Sequence, residues 1–449
     1  MSLVLSTLAY AVSVAGEVGD ERKQPAASSE RQAASSERRR ASKRRRREAS
    51  EGVSVRGTSF SKSKVDIGEA NMSGTQRRIG ILTSGGDAPG LNAVIRGAVK
   101  AATRHGYEVI GFHRGYEGLA QPVSYSTLTY KSTAGILALG GTIIGTTNRG
   151  RFTAKVGKDD RVSIDPELID EVKTTCRQLA LEGLICVGGD GSLSIGLQLY
   201  GAGVPVVGVP KTIDNDLSAT AFTFGFDSAV ACVTDALDRL HTTAASHDRI
   251  FVLEVMGRHA GWIALYAGIA GGGDVILIPE IPWTFENVCQ KVVERDRAGK
   301  RFTLIVVAEG AELPGKGLVT AEAASAQGQT RLGGIGDIVA AEVERRLGRE
   351  TRVVVLGHLQ RGGQPTAFDR ALATQFGAHA VRLVVQRRFG EMVCYEPPHI
   401  NSVPIEKAVA KLSRVDINGS TVQAARAMGI SFGEAQSDVG PFELTSSGS

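Results

Sequence analysis

Val209-Pro210-Lys211-Thr212-Ile213-Asp214-Asn215-Asp216 closes an apolar run, Val204 to Val209, that reads as a buried strand. Two carboxylates follow it two residues apart, with Thr212 and Asn215 beside them. Just past a strand end, one carboxylate can face a reacting hydroxyl and the other a metal ion or its waters. Phosphoryl transfer suits that placement, because its catalysis is mainly positioning and charge neutralisation. A plain surface turn uses the same residue types, since Asp and Asn are favoured in turns. The rest of the chain decides between the two.

Similar punctuation recurs upstream. Ile79 to Thr83 reads as a strand, followed by Ser84-Gly85-Gly86-Asp87-Ala88-Pro89-Gly90 and then a helix with Leu91, Val94, Ile95, Ala98 and Ala102 on one face. Leu184 to Val187 reads as a strand ending in Gly188-Gly189-Asp190-Gly191-Ser192, where another helix begins. A strand, a glycine turn and a helix start make an anion site, because free N–H groups face the ligand. Neither turn is a G-x-G-x-x-G fingerprint or a Walker A loop. Between them lie a strand from Tyr107 to Phe112, Gly115-Tyr116-Glu117-Gly118-Leu119, and a glycine-bounded loop, 140–152, that carries Arg149 and Arg151. Pro166 to Ala180 reads as a helix capped by Asp165.

Downstream, helices are expected over Ser228 to Thr243, Phe285 to Ala298, Ile335 to Leu347 and residues 367–388. Strands are expected over Ile250 to Val255, Val275 to Ile278, Phe302 to Ala308 and Arg352 to Leu356. Three of them run into polar loops: Met256-Gly257-Arg258-His259, Glu309-Gly310 and Gly357-His358-Leu359-Gln360-Arg361-Gly362-Gly363. Pro314 to Arg331 reads as a flexible excursion, and the end from Gln436 as frayed. Alternating strands and helices imply an α/β protein with parallel sheets covered on both faces. Ligands in such sheets sit at the carboxyl ends of the strands, where Gly85, Asp190 and Asp214 all fall.

The 449 residues, 42% of them hydrophobic, suffice for two domains. No apolar run approaches a membrane span. Cys176, Cys186, Cys232, Cys289 and Cys394 form no Cys-x-x-Cys pair, which argues against a zinc site or disulfide framework and fits buried thiols in a reducing cytoplasm. Residues 1–71 differ in kind. They carry 14 Lys/Arg against nine Asp/Glu, which accounts for the whole net charge of +5. Their low apolar content predicts a disordered tail. Its run Lys43-Arg44-Arg45-Arg46-Arg47 suits an address signal or a nucleic-acid patch, though a solvated tail is the simpler reading. Met72 just precedes the ordered pattern and offers an alternative start. The balanced remainder is not expected to bind nucleic acid or membrane.

Taken in order, five motifs resemble the ATP-type 6-phosphofructokinase family: Leu82-Thr83-Ser84-Gly85-Gly86-Asp87-Ala88-Pro89-Gly90, Gly188-Gly189-Asp190-Gly191-Ser192, Thr212-Ile213-Asp214-Asn215-Asp216, Met256-Gly257-Arg258 and Gly357-His358-Leu359-Gln360-Arg361-Gly362-Gly363. The resemblance covers most of residues 78–400. It implies two α/β domains: residues 72–224 with 360–410 for nucleotide, and 225–359 with 411–449 for sugar phosphate. It also implies a cytoplasmic homo-oligomer, tetramer or dimer, acting on fructose 6-phosphate with ATP and Mg2+. By the same resemblance, Asp214 is the general base for the sugar's 1-hydroxyl, and Asp216 the second catalytic carboxylate. Thr212 touches the transferring phosphoryl and the sugar. Asp190 holds magnesium. Gly85, Gly191, Ser192 and either Arg149 or Arg151 lie along the nucleotide phosphates. Arg258 steadies the moving phosphoryl, Met256 and Gly257 lie against the sugar, and Glu309 binds its hydroxyls. His358 and Arg361 hold the 6-phosphate, with Arg249 and Arg352 reaching in from a neighbouring subunit.

Two markers of the phosphoryl donor disagree. Gly191 leaves room for the α-phosphate of ATP, whereas Asp there favours pyrophosphate in the family. Lys211 is typical of the pyrophosphate-dependent branch. Gly191 decides for ATP, because a steric block is firmer than a flexible cation. Pyrophosphate-dependent transfer is the alternative, and a non-catalytic sugar-phosphate sensor is a second. The family's effector site is partly matched: Arg96 and Lys100 are present, but His241 stands where Arg is expected and Asp274 where Glu is expected.

Overall fold

The structure, a computed structural model, describes residues 76–147, 150–152, 163–322 and 331–434. The basic tail, Arg149, the middle of the 314–331 excursion and the end from Gln436 lie outside the described residues. In chain order the strands are β1 (Arg78–Thr83), β2 (Glu108–Phe112), β3 (Tyr125–Leu128), β4 (Leu181–Gly188), β5 (Val206–Thr212), β6 (Phe224–Gly225), β7 (Ile250–Val255), β8 (Val275–Leu277), β9 (Thr303–Ala308), β10 (Thr320–Glu322), β11 (Arg331–Leu332), β12 (Thr351–Val355), β13 (Glu391–Glu396) and β14 (His399–Pro404). The helices are α1 (Leu91–Arg104), α2 (Pro166–Gln178), α3 (Asp190–Gly201), α4 (Phe226–His247), α5 (Trp262–Ala270), α6 (Phe285–Arg297), α7 (Ile335–Leu347), α8 (Ala367–Val385), α9 (Ile405–Val409) and α10 (Ser420–Ala427).

The larger sheet runs β14-β13-β5-β4-β1-β2-β3, with β6 extending β5. Its centre is parallel, and the outer pairs β2–β3 and β13–β14 are antiparallel. The smaller sheet, β12-β7-β9-β8, is parallel throughout. The apolar runs of β4, β5, β7 and β9 are buried along their length, as strands covered on both faces require. From β1 the chain moves to β2 on one side and later to β4 on the other. The crevice above β1 and β4 is therefore a topological switch point, the usual ligand position in open α/β sheets.

Helices α1 and α8 cover one face of the larger sheet in mutual contact. A Cβ added at Gly377 would stand 2.2 Å from the Val94 carbonyl oxygen, and one at Gly97 2.5 Å from that of Thr374. The two backbones meet at this notch because neither residue carries a side chain. Asp165 caps α2 as expected, accepting the Glu167 N–H at 2.9 Å, with Pro166 at the first helical position. Four of the cysteines are buried and Cys232 is half-buried; all five thiols are free. Burial pushes the Cys186 thiol up to about 12 and Cys176 to about 11, so neither is a ready nucleophile. Among the described residues, no helix is long and apolar enough to cross a membrane.

Several elements depart from the sequence expectation. The 314–331 excursion includes β10, which pairs antiparallel with β11 and gives part of the segment regular structure. Helix α5, strand β3 and the β13–β14 hairpin have no counterpart in the sequence reading. Segment 412–415 forms a strap. Leu412 bridges Leu217, Ser413 N–H donates to the Asp216 carbonyl at 2.7 Å, and Val415 N–H donates to Glu280 at 2.9 Å.

Candidate active site

Strands β5, β4 and β1 lie side by side and end in register, with Thr83 opposite Val187 and Gly188 opposite Pro210. The turns after them share one mouth. In the first, Ser84 N–H donates to Val187 O at 2.9 Å and Gly85 N–H to Thr147 O at 3.0 Å. Gly85 takes φ +83°, a left-handed conformation that glycine adopts without strain. In the second, Gly189 is the N-cap of α3, so Asp190, Gly191 and Ser192 occupy its first turn. First-turn N–H groups have no carbonyl of their own helix to bond, and they and the positive end of the helix dipole suit an anion at the mouth. A Cβ at Gly188 would meet the Ser192 Cβ at 2.3 Å, so no other residue fits there.

These turns enclose a cavity of about 480 Å³. The first sheet contributes Gly85, Gly86, Asp87, Gly189, Asp190, Gly191, Ser192, Lys211 and Thr212, while Met256, Arg258, His358 and Arg361 come from loops that follow β7 and β12. Gln360 knits these last loops together, accepting the Met256 N–H at 3.3 Å and donating to Gly357 O at 3.1 Å. A Cβ at Gly310 would stand 2.0 Å from the Arg258 carbonyl, so the loop after β9 packs directly behind Arg258.

Asp214 and Asp216 sit just behind the lining. Each is partly exposed, but its Oδ1 is sealed from solvent and has no hydrogen-bond partner. Burial raises both carboxyls above their ordinary range. For Asp214 the raise is opposed by the charges of Arg361, Lys211 and Arg258, and for Asp216 it is reinforced by Asp214. The Thr212 hydroxyl and a backbone N–H still reach Asp216. Two carboxylates that repel each other, each with one oxygen left unpaired, are poised to accept a proton or a cation. Glu309 belongs to the same field: burial, then Asp214 and Glu254, push it up to about 7. It does not line the cavity, nor does Gly257, which takes φ +136° and turns the chain between Met256 and Arg258.

Lys211 is 4% exposed and its Nζ donates to the Gly86 carbonyl. Burial, then the nearby Arg361 charge, lower its ammonium to about 8. Arg361 donates to Asp87 O at 3.2 Å and lies over Gly86, where an added Cβ would stand 2.9 Å from its Nη1. Two cations thus brace the first glycine turn.

Three expected residues stand apart from this cavity. Arg249 and Arg352 lie at the amino ends of β7 and β12 and share the Glu350 carboxylate, the first at 2.9 Å. Arg151 is held by Glu117, with its N–H at 2.5 Å and Nε at 3.2 Å, and by Glu171 at 3.5 Å. Arg149 lies outside the described residues. Among the expected effector residues, Asp274 is engaged by Arg295 at 2.6 Å and by Leu304 N–H at 2.9 Å, and His241 stands edge-on to Phe302. The sequence reading assigned no role to Asp87, Tyr116, Glu117 or Phe152, which also line the cavity. The Gly115–Gly118 turn after β2 was the available signal for two of them.

Phosphate-type turns at a switch point, two carboxylates each with an unpaired buried oxygen, and converging cations define an α/β phosphotransferase site. The chain belongs to the phosphofructokinase family, whose family model matches residues 78–384. A Chloroflexus aggregans protein named ATP-dependent 6-phosphofructokinase is 52% identical over 363 residues, 81% of this chain and 99% of that protein. A Streptomyces coelicolor protein named pyrophosphate–fructose 6-phosphate 1-phosphotransferase is 48% identical, over 76% of this chain and 96% of that one. Among solved structures, Pichia pastoris phosphofructokinase in the T-state is similar at TM-score 0.65 and 31% identity, over 80% of this chain and 37% of the yeast chain.

Proposed function

We propose that the protein transfers the γ-phosphoryl of ATP to O1 of fructose 6-phosphate, giving fructose 1,6-bisphosphate and ADP in the cytoplasm as a step of glycolysis. The observation that carries the reading is the pair Asp214 and Asp216, each with a buried partnerless Oδ1, beside a mouth of phosphate-binding turns. Asp214 takes the proton of the 1-hydroxyl as O1 attacks the γ-phosphorus in line. The new P–O1 bond forms while the bond from the γ-phosphorus to the bridging oxygen breaks. Asp216 stands beside it as the second carboxylate. Thr212 holds the sugar and the phosphoryl group, and Arg258 balances charge on the group in flight. The α3 N-terminus at Gly191 and Ser192, with Gly85, cradles the nucleotide phosphates. We assign the nucleotide-phosphate role to Arg149, because Arg151 is already held by two carboxylates.

His358 and Arg361 hold the sugar's 6-phosphate, Met256 and Gly257 face the sugar, and Glu309 takes its hydroxyls. Arg249 and Arg352 act on the site of a neighbouring copy in a homo-oligomer, since in their own chain they stand at the far strand ends. Residues 72–224 with 360–410 serve the nucleotide, and 225–359 with 411–449 the sugar phosphate. Magnesium fits the donors present: Asp190 opens α3 close enough to Asp216 to raise its carboxyl, and orphaned carboxylate oxygens lie beside it. One or two carboxylates plus substrate phosphates suffice for Mg2+. No cluster of three or more His, Cys, Asp and Glu is needed, and none is found among the described residues. When bound, the ion neutralises charge on the phosphate oxygens.

The test is turnover of fructose 6-phosphate by the purified full chain, followed as aldolase-cleavable fructose 1,6-bisphosphate. No product with any phosphoryl donor would overturn the reading. Pyrophosphate is the second donor to weigh, because Lys211 and the Streptomyces coelicolor relative favour it. Gly191→Asp is expected to lower kcat/KM for ATP by at least about tenfold more than for pyrophosphate, since a misfit at a bound group costs about 10²-fold. Equal losses for both donors would remove the steric argument.

The pH profile follows from the site. A general base works only when unprotonated, and carboxyls raised by burial keep their protons to higher pH. With Glu309 at about 7 and Asp214 and Asp216 raised with it, kcat/KM is expected to fall as pH drops through about 7. Unshifted carboxylates would hold activity down to about pH 4–5. Kinetics between pH 5 and 9 decide between the two limbs.

A further inference from the structure

We propose that Asn215 is a positioning residue for this reaction: its clasp on Thr223 fixes the left-handed turn that aims Asp214 and Asp216. The inference rests on the phosphotransfer reading above and concerns the residue between the two carboxylates, which does not line the site cavity. Asn215 takes φ +51°, one of the few non-glycine residues in the left-handed region. A short carboxamide tolerates that region better than most side chains. The side chain is 7% exposed and points inward, where its Oδ1 accepts the Thr223 N–H at 2.9 Å and its Nδ2 donates to Ala221 O at 3.4 Å. The Thr223 hydroxyl, fully buried, donates to Thr212 O at 2.7 Å. Directly after it, β6 pairs in parallel with Lys211 and Thr212.

The excursion from Thr212 to Thr223 is thus closed from within. Its outer side is held separately, by Ser413 N–H on the Asp216 carbonyl and the Leu217–Leu412 bridge. Between these two anchors the carboxylates of Asp214 and Asp216 have no hydrogen bond at Oδ1 to set their direction. Apart from the Thr212 hydroxyl on Asp216, their aim comes from the backbone, and the backbone turns at Asn215. A buried polar clasp of this kind has a purely structural reading as well, in which its loss would only destabilise the fold. Kinetics separate the two readings.

Asn215→Gly keeps the left-handed turn accessible and removes the carboxamide. Thr223→Val removes the hydroxyl, which donates to Thr212 O and also reaches Asn215 Oδ1 at 3.2 Å, and keeps the Thr223 N–H on Asn215. Both variants are assayed as full chain, with kcat and KM for fructose 6-phosphate measured across pH 5–9 and the folded fraction checked by thermal melting. Asn215→Gly is expected to lower kcat by about 10- to 100-fold, as for a misplacement of about 1 Å. KM should change less than threefold, and the acid limb of kcat should move as the two carboxyls change separation. Thr223→Val should show the same pattern in weaker form. Asn215→Asp keeps an oxygen for the Thr223 N–H, so its kcat plateau at high pH should return to within about threefold of wild type, with the acid limb displaced upward by the added charge. Wild-type kcat in Asn215→Gly would overturn the proposal. So would a loss that only tracks the unfolded fraction while the pH profile stays in place. Absence of turnover in the wild-type protein would instead sink the functional reading itself.

Discussion

Asp214→Asn is expected to lower kcat by about 10²–10⁴, the range for losing a general base, with KM for fructose 6-phosphate nearly unchanged. The substitution keeps size and removes only the basic oxygen. Its effect on stability should have the opposite sign. Burial holds the Asp214 carboxyl above its ordinary range, so the folded state disfavours the charge relative to the unfolded chain. That penalty is fully present above the folded pKa and vanishes below the unfolded value near 4. At neutral pH the asparagine variant should therefore melt at or above the wild-type temperature, and the difference should shrink as pH falls toward 4. Loss of activity together with loss of stability would mean that Asp214 is a structural group. Near-normal kcat would remove it from the chemistry.

Gly377→Ala is expected to destabilise the fold by about 1–3 kcal/mol, the usual cost of overpacking a filled core. Helix propensity alone predicts the reverse, since Ala exceeds Gly by about 1 kcal/mol inside a helix. Packing wins because the new Cβ would lie 2.2 Å from the Val94 carbonyl oxygen and 2.9 Å from the Ala98 nitrogen, and neither backbone atom can swing aside as a side chain would. Helices α1 and α8 would have to separate over the sheet face they cover. A melting temperature several degrees below wild type, at about 2–4 °C per kcal/mol, is the expected reading. A rise would show that the notch has slack.

Where the sequence spoke clearly, strand ends and glycines did the speaking. The runs before Ser84, Gly188 and Lys211 became the adjacent parallel strands β1, β4 and β5, and their turns met at one cavity. The reason is local: apolar runs bounded by glycine and carboxylate residues leave little choice of element. Helix α5 escaped because its nine residues are apolar on every side, with Ile263, Ala264, Leu265, Ala267 and Gly268 all buried, so no amphipathic period marks it. Strand β3 is a four-residue edge with an exposed pattern, and the β13–β14 hairpin turns at Pro397-Pro398, which reads as a break.

The candidate site was legible as residue types and not as burial. Lys211 reads as a strand-end cation, yet it is enclosed because a turn 125 residues earlier folds across it. Arg151 reads as a phosphate ligand, yet Glu117 and Glu171 take it first. The strap from Leu412 to Val415 carries no motif at all, since its contacts are made by backbone N–H groups. Tertiary partners far along the chain set these properties, and no local pattern announces them.

The central claim is that ATP donates the phosphoryl group at this site. Its most direct test is kcat/KM for ATP and for pyrophosphate, measured side by side on one preparation with saturating fructose 6-phosphate and magnesium. The account predicts turnover with ATP at least about tenfold more efficient than with pyrophosphate, a difference of about 1.4 kcal/mol in transition-state stabilisation. Efficient turnover with pyrophosphate and little or none with ATP would contradict it, and would give the decision to Lys211 over Gly191.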